Sequence, residues 1–270
     1  MQNENHAAWV CQMGRLRVEW VESIDSTNLE LMRRTALMPA DETADAVWLI
    51  AGEQTDGRGR RGKRWASVAG GAVIASLGRD LPAVHSASMA AVPLVTGIVI
   101  AEYLSAQGLP VGIKWPNDLC VLTPDVERPF AKVGGILCEM RSHASGARLV
   151  IGCGLNVRAF PGEVLAEQPV ASLYDGRGPA DLQGMSLAIG EAVFHGSEQL
   201  LTEGFEAFAD RWQAFDLLAG RPIRIHQAQA HRDAMALGID EQGALRVCFD
   251  DDPSRIVSLM AEQISVRPLV

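Results

Sequence analysis

The sequence predicts an α+β fold: a central mixed or antiparallel sheet flanked by helices over residues 1–217, and a small β module over residues 218–270. Three observations carry this. Between Val111 and Val157, short apolar runs alternate with turn residues, the pattern of consecutive antiparallel strands. Two stretches, Ser86–Ala106 and Asp181–Leu218, hold apolar residues over helical lengths. After Gly220 the texture changes, and several strand-length runs crowd into the end of the chain. A length of 270 residues suits one large domain with an appendage, since domains usually run about 100–200 residues.

Arg15–Val21 alternates toward Leu16, Val18 and Trp20, the period of a strand with one buried face. Ile24–Asn28 is polar and turn-like, and Ser26 or Asp25 is placed to cap a helix running through Leu29, Leu31, Met32 and Leu37. Ala46–Ala51 reads as a buried strand. A glycine- and arginine-rich loop follows from Gln54 to Ala69, then a strand over Gly71–Leu77. Leu81–Ala101 lacks Asp, Glu, Lys and Arg, but Pro82, His85, Ser86, Ser88 and Pro93 interrupt it. A membrane span needs about 20 strongly apolar residues, so this stretch leads into a buried core helix, Ser86–Ala106. Val111–Trp115, Leu119–Leu122, Lys132–Met140 and Arg148–Val157 are the antiparallel strands, with Pro124–Pro129 as an exposed loop tip. Phe160–Asp181, with scattered Pro and Gly, reads as loop, and two helices with an aromatic core face follow before Leu218. Pro222–Ile225, Ala234–Ile239, Leu245–Phe249, Ile256–Leu259 and Ile264–Arg267 form a barrel-like module, with turns at Asp240–Gly243 and Asp250–Pro253.

Hydrophobic residues make up 48% of the chain and charged residues 21%, which excludes disorder, collagen and coiled coil. Lys and Arg number 24 against 33 Asp and Glu, a net charge of −9, so the chain is a poor general ligand for DNA, RNA or anionic membrane. The 5 cysteines include no C-x-x-C pair, which argues against a disulfide scaffold or zinc ribbon and for a reducing cytoplasm. His226 and His231 do not share a helix face, and no H-E-x-x-H occurs, so they read as unrelated histidines. No basic run precedes an apolar stretch at the N-terminus, so no signal peptide is expected.

The strongest feature is Gly57-Arg58-Gly59-Arg60-Arg61-Gly62-Lys63-Arg64-Trp65. Cations packed this densely repel one another, and an anion is the natural reason to hold them together in an acidic protein. The glycines let backbone N–H groups approach that anion, arginine offers a bidentate fork, and Trp65 offers a face for a purine. Gly57, Gly59 and Gly62 also match G-x-G-x-x-G, with Asp80 near the distance of a ribose-binding acid. A dinucleotide fold needs a helix to open there, and Trp65–Leu77 is strand-like instead. Lys114-Trp115-Pro116-Asn117-Asp118 sets a lysine and an aspartate across one tight turn, which suits a triphosphate and its metal but equally an ordinary hairpin. Lys132-Val133-Gly134-Gly135 places two glycines inside a strand, a cost that a closely approaching ligand, or a bulge, would explain. Gly152–Val157 ends a strand with small residues and Asn156, whose amide could meet a phosphate or a sugar hydroxyl.

Together, Asp25–Asn28, Gln54–Asp56 leading into Gly57–Trp65, Lys114–Leu119, Lys132–Glu139 and Gly152–Val157 resemble the biotin protein ligases, the biotin–acetyl-CoA-carboxylase ligase family. Gly238–Asp240 and Ser265–Arg267 match that family's end, so the likeness spans about residues 15–270. It implies a class II synthetase-like ligase domain with an SH3-like C-terminal barrel. The implied activity is two-step. Biotin's carboxylate attacks the α-phosphate of ATP, with Mg²⁺ as cofactor, giving biotinyl-5′-AMP; a lysine of a biotin carboxyl carrier domain, such as that of acetyl-CoA carboxylase, then takes the biotin.

By the same resemblance, Ser26, Thr27, Asn28, Gln54, Gly57, Arg58, Gly59, Arg60, Lys132 and Gly135 bind biotin, and Lys132, Arg58 and Arg60 carry the catalysis. Arg60, Lys63, Trp65, Lys114, Asn117, Asp118, Lys132 and Asn156 hold ATP, with Trp65 against adenine and Asp118 toward Mg²⁺ through water. The partners implied are biotin, ATP and the carrier domain, with no DNA and no membrane, and with a homodimer left open. Some relatives carry an N-terminal DNA-binding domain and act as repressors; the fold here starts near Arg15, which leaves no room for one in this sequence. Lys63 stands where relatives often have arginine, keeping charge but losing the fork, so the last phosphate contact falls to Lys63 or Arg64. Leu122–Ala131 looks like an extra loop before the catalytic lysine. The alternatives are a lipoate-type protein ligase, and a non-catalytic biotin- or nucleotide-sensing interaction protein.

Overall fold

The computed structural model describes residues 8–37, 43–82, 86–144, 146–158, 169–174, 181–227, 230–261 and 264–269. A mixed sheet of 8 strands runs β1 (Trp9–Met13), β2 (Leu16–Ile24), β3 (Ala46–Gln54), β4 (Ala72–Leu81), β8 (Gly146–Asn156), β7 (Phe130–His143), β6 (Asp118–Leu122) and β5 (Gly112–Lys114) from edge to edge. β2 and β3 are parallel, and every other neighbouring pair is antiparallel. Helix α1 (Thr27–Arg33) lies between the two parallel strands in sequence, as a crossover requires.

The inner strands are apolar on both faces because both faces are covered. Trp48, Ile50, Ala75, Ile151 and Cys153 face the core built on α2 (Val92–Ala106) and α3 (Leu182–Glu203). Their alternates Val47, Leu49, Ile74 and Val150 pack with Leu31 of α1 and with Leu37. The period of two thus assigns each side chain to one of two cores. Ser26 caps α1 through its side chain, which accepts from Leu29 N–H. Asp181 caps α3 by accepting from Gly184 N–H at 2.6 Å, and Gly204, at φ 78°, ends that helix. The helical stretch Met89–Ala106 is long and apolar enough to cross a membrane, but it packs against α3 and β7 as a core helix.

A second sheet of 5 antiparallel strands follows: β9 (Pro222–Gln227), β10 (Ala230–Ile239), β11 (Leu245–Phe249), β12 (Asp252–Leu259) and β13 (Ser265–Pro268), in the order β12-β11-β10-β9-β13. Ile223, Ile225, Ala234, Val247 and Val266 join the same core as α2 and α3. Trp115 Nε1 donates to the Gly243 carbonyl at 3.0 Å, which ties the turn after β5 to the second sheet.

The α+β architecture, the four antiparallel strands and the five terminal strands match the sequence reading. Four details differ. β1 was not anticipated; its residues alternate poorly because it is an exposed edge. The helix after Ser26 stops at Arg33, and Leu37 reaches the core from beyond it. Ser86–Ala106 is a 3₁₀ turn as far as Ala91 and α-helical only from Val92, since Pro93 fits no further into a helix than its first turn. The region 181–218 holds one long helix, then a 3₁₀ turn and the short α4 (Ala209–Gln213). Most of the expected loop at 160–181 lies outside the described residues.

Candidate functional site

The site is built on the α1-facing side of the sheet. Gly135 pairs with Gly154, Leu137 and Ser76 flank Gly152, and Ile74 pairs with Gly154. These residues share one face, so three glycines on two adjacent strands form a bare floor. Side chains from elsewhere lie directly on it. A Cβ at Gly154 would stand 2.5 Å from Trp65 Cε2, one at Gly135 would meet Lys132 Nζ at 3.1 Å, and one at Gly152 would collide with the Asn28 amide. Above the floor is a cavity of about 650 Å³.

One end of the cavity is neutral and densely hydrogen-bonded. Thr27 N–H donates to Gln54 Oε1 at 2.8 Å, and Thr27 Oγ1 lies 2.6 Å from Ser76 Oγ. Ser76 Oγ donates to Asn28 Oδ1 at 2.6 Å. Asn28 Nδ2 donates to the Leu137 carbonyl at 3.1 Å and to Glu139 Oε2 at 2.9 Å. The helix cap at Ser26 delivers three consecutive polar side chains to this end, and Gln54 comes from the end of β3.

The other end is cationic. Lys132 Nζ stands 2.5 Å from Asp118 Oδ1, and Lys114 Nζ 3.5 Å from Asp118 Oδ2. Lys114 is buried, and burial pulls its ammonium below the usual lysine pKa against the opposing pull of Asp118. Asn117 Nδ2 donates to the Ile136 carbonyl at 3.0 Å, and its Oδ1 accepts from Arg60 at 2.9 Å. Asn156 is buried and donates to the Ala171 carbonyl at 3.2 Å.

The arginine loop spans the two ends. It folds back on itself, with Gly59 N–H donating to the Lys63 carbonyl at 2.7 Å and Trp65 N–H to the Gly57 carbonyl at 2.9 Å. A Cβ at Gly57 would sit 2.5 Å from the Trp65 carbonyl, which explains that glycine. Arg61 takes a left-handed conformation at φ 56° and ψ 36°, a placement that costs a non-glycine residue about 1 kcal/mol or more. Arg58 reaches Glu139 at 3.4 Å, and Arg60 donates its second nitrogen to the Ala261 carbonyl of the second sheet at 2.7 Å. Trp65 lies across the floor with Lys132 Nζ 5.8 Å from its ring centroid, and its buried Nε1 has no hydrogen-bond partner. No helix opens after the glycines, so the dinucleotide reading fails, and Asp80 is engaged by Arg148 at 2.8 and 2.9 Å instead.

Ser26, Thr27, Asn28, Gln54, Arg58, Gly59, Arg60, Lys63, Trp65, Lys114, Asn117, Asp118, Lys132, Gly135 and Asn156 all line this cavity; Gly57 does not, being buried against the Trp65 carbonyl and the Gln54 amide. The sequence reading gave no site role to Glu139, Ser76, Gly152, Gly154 or Arg267, although all but Ser76 lie in segments that carried the resemblance. Glu139 carried a signal: Gly135, Leu137 and Glu139 alternate onto one face of a strand. Arg267 carried no such pattern, because it arrives from the second sheet. The residues 123–129 form a compact exposed turn closed by Thr123 N–H on the Pro129 carbonyl at 3.0 Å.

Comparison with known proteins gives a consistent assignment. Residues 20–156 match the biotin/lipoate A/B protein ligase family. The chain is 30% identical over 247 residues to the bifunctional ligase/repressor BirA of Escherichia coli, covering 90% of this chain and 72% of that protein. It is 31% identical over 230 residues to the biotin–[acetyl-CoA-carboxylase] ligase of Paracoccus denitrificans, covering 82% and 90% of the two chains. The fold is shared with the biotin protein ligase of Aquifex aeolicus, solved in complex with biotin and ATP, at a TM-score of 0.72 and 22% identity over 93% of this chain and 98% of that one. On these grounds the chain belongs to the biotin/lipoate A/B protein ligase family.

Proposed function

We propose that this ligase is an ATP-dependent biotin protein ligase, with a catalytic domain over residues 1–217 and a C-terminal module over 218–270. The observation that supports this is a single cavity with two chemically unlike ends. Biotin is itself two-ended, with a urea that needs donors and acceptors and a carboxylate that must be brought to a triphosphate. The amide and hydroxyl end at Ser26, Thr27, Asn28 and Gln54 suits the urea. A lipoyl head, an apolar dithiolane, has no use for those groups. The cations at the other end suit the carboxylate and phosphates.

In the first step a carboxylate oxygen of biotin attacks the α-phosphorus, and the bond to the bridging oxygen of pyrophosphate breaks. Two anions must meet, and charge spreads over the phosphorus oxygens in the transition state. Lys132, Arg58 and Arg60 oppose that repulsion from fixed positions, which favours the transition state over the separated substrates. Lys114, Lys63, Asn117 and Asn156 hold the nucleotide, and Trp65, whose indole N–H still lacks an acceptor, packs on it. Lys132 exchanges its contact with Asp118 for the phosphate. In the second step the amine of a carrier-domain lysine attacks the acyl carbon, AMP leaves with the bonding pair, and the amine gives up its proton. Glycines in the loop let it close and keep water from the adenylate.

Among the described residues no group of three His, Cys, Asp or Glu gathers to hold a metal. Both oxygens of Asp118 face lysine ammonium groups. This geometry fits a counter-ion better than a Mg²⁺ ligand; magnesium arriving with ATP would screen the phosphate charge.

The test is ATP–pyrophosphate exchange, followed by the mass of a carboxyl carrier domain after incubation. Biotin-dependent exchange and a biotinyl mass shift are expected. Exchange with lipoate alone would move the chain to the lipoate branch, and no exchange with either would leave a binding protein.

A further inference from the structure

Three buried polar side chains stand in a row at the neutral end: Thr27, Asn28 and Ser76 are 3%, 4% and 0% exposed. Their protons can be placed one after another. Asn28 Nδ2 lies 3.1 Å from the Leu137 carbonyl and 2.9 Å from Glu139 Oε2. A carbonyl and a carboxylate can only accept, so the amide nitrogen must face them and Oδ1 must face away. There Oδ1 meets Ser76 Oγ at 2.6 Å, and Ser76 must give it its one proton. Ser76 is then the acceptor in its 2.6 Å contact with Thr27 Oγ1, so Thr27 gives up its proton as well. Gln54 Oε1 accepts from the Thr27 backbone N–H at 2.8 Å and is a second acceptor, at 3.0 Å, for the Thr27 hydroxyl, so that hydroxyl donates to either neighbour and its oxygen keeps its lone pairs. The direction of every bond in the row follows from the two acceptors at its far end, the Leu137 carbonyl and the Glu139 carboxylate.

We infer that Glu139 is a positioning residue: it fixes the hydrogen-bond polarity of this end of the cavity, leaving Asn28 Oδ1 and Thr27 Oγ1 as acceptors for ligand N–H groups. This rests on reading that end as the seat of a urea. A urea brings two N–H donors and one carbonyl. The two stripped oxygens take the N–H groups. Ser26 Oγ, which accepts from Leu29 N–H at 3.4 Å, keeps its own proton for the carbonyl. Without Glu139 only the Leu137 carbonyl, at 3.1 Å, opposes a turned-over Asn28 amide, so the row can reverse at lower cost and set donor against donor. Such a mismatch inside a buried site costs more than the loss of one bond, because the partners stay unsatisfied. Glu139 also holds Arg58 at 3.4 Å, so the loop closes against a residue already fixed by the row.

The test uses the full chain with Glu139→Leu, Glu139→Gln and Ser76→Ala in pyrophosphate exchange. Each is assayed with biotin and with desthiobiotin, which keeps the urea but lacks the sulfur ring. Glu139→Leu should raise KM for both ligands by about tenfold or more; because it also removes the partner of Arg58, the separation of KM from kcat is read in Ser76→Ala, which leaves that ion pair in place. Glu139→Gln should recover most of the loss, since its amide oxygen can accept from Asn28. Ser76→Ala breaks the row with Glu139 intact and should raise the same KM; it decides the matter should Glu139→Leu not fold, as read by its unfolding midpoint. An unchanged KM in the variants, a glutamine no better than leucine, or an equal fall in kcat in Ser76→Ala would each show that Glu139 does not set the polarity. A parent enzyme indifferent to biotin would remove the urea reading first, and the role of Glu139 with it, before any variant is made.

Discussion

The two ends of the cavity are built on different principles. Thr27, Asn28 and Ser76 are almost fully buried, sit on a helix start and an inner strand, and bond to one another. Arg58, Arg61, Lys63 and Arg64 are exposed on a loop whose backbone, from Gly57 to Trp65, bonds back on itself. A neutral network can be closed off from water because each group satisfies another. At the cationic end Lys114 is buried against Asp118, and the loop cations cannot be packed that way without a further anion, since burial penalises each charge and neighbours repel. On the proposed function, the end assigned to a neutral head group can therefore be finished before ligand arrives, and the end assigned to phosphate is completed by the ligand.

This contrast predicts a division of kinetic effects. The largest belongs to the cationic end: Lys132→Ala should lower the rate of adenylate formation by about 10²–10³-fold, measured by pyrophosphate exchange, with the unfolding midpoint unchanged. Next is the neutral end. Gly152→Ala places a methyl group against the Asn28 amide; overpacking of about 1–3 kcal/mol should raise KM for biotin about tenfold and leave kcat largely intact. If both variants change the same parameter, the two ends do not divide the work. Lys63→Arg should stay within about twofold of the parent, because charge is kept and the residue lies on the exposed loop. A collapse of activity there would mean the loop holds phosphate through a different register.

The smallest effect is on pH dependence at the support of the neutral end. Burial works to raise the Glu19 carboxyl, but hydrogen bonds from Arg34 and Arg17 outweigh it and hold its pKa below the ordinary value. Arg34 closes α1 and reaches Glu19 at 2.8 Å. An acid with a lowered pKa in the folded state stabilises above the ordinary carboxylate range, and the gain is lost as pH falls through the lowered value. Unfolding midpoints measured from about pH 6 down to about pH 3 should therefore drop, and Glu19→Gln should flatten that limb.

How far the site was legible depended on where each residue sat. The arginine loop, Lys114–Asp118 and Lys132–Gly135 stood out because they break local rules: charge crowded in an acidic chain, glycine inside strands. Gly152 and Gly154 break the same rule and their segment was singled out, but without a lysine beside them only Asn156 drew a role; Ser76 breaks no rule at all. Leu37 and β1 were misjudged for a related reason, a short helix and an exposed edge being too brief to show a period.

The sequence by itself determined the strands, the helices and the chemistry of the loop, because periodicity, caps and charge density are properties of neighbours along the chain. Tertiary structure decided which of these groups meet. The Asn28–Glu139 bond joins residues 111 apart, and Arg60 reaches a carbonyl 201 positions away. Such pairings depend on strand order and register across a whole sheet, which no local pattern encodes, and they turn a list of polar residues into one cavity with a direction.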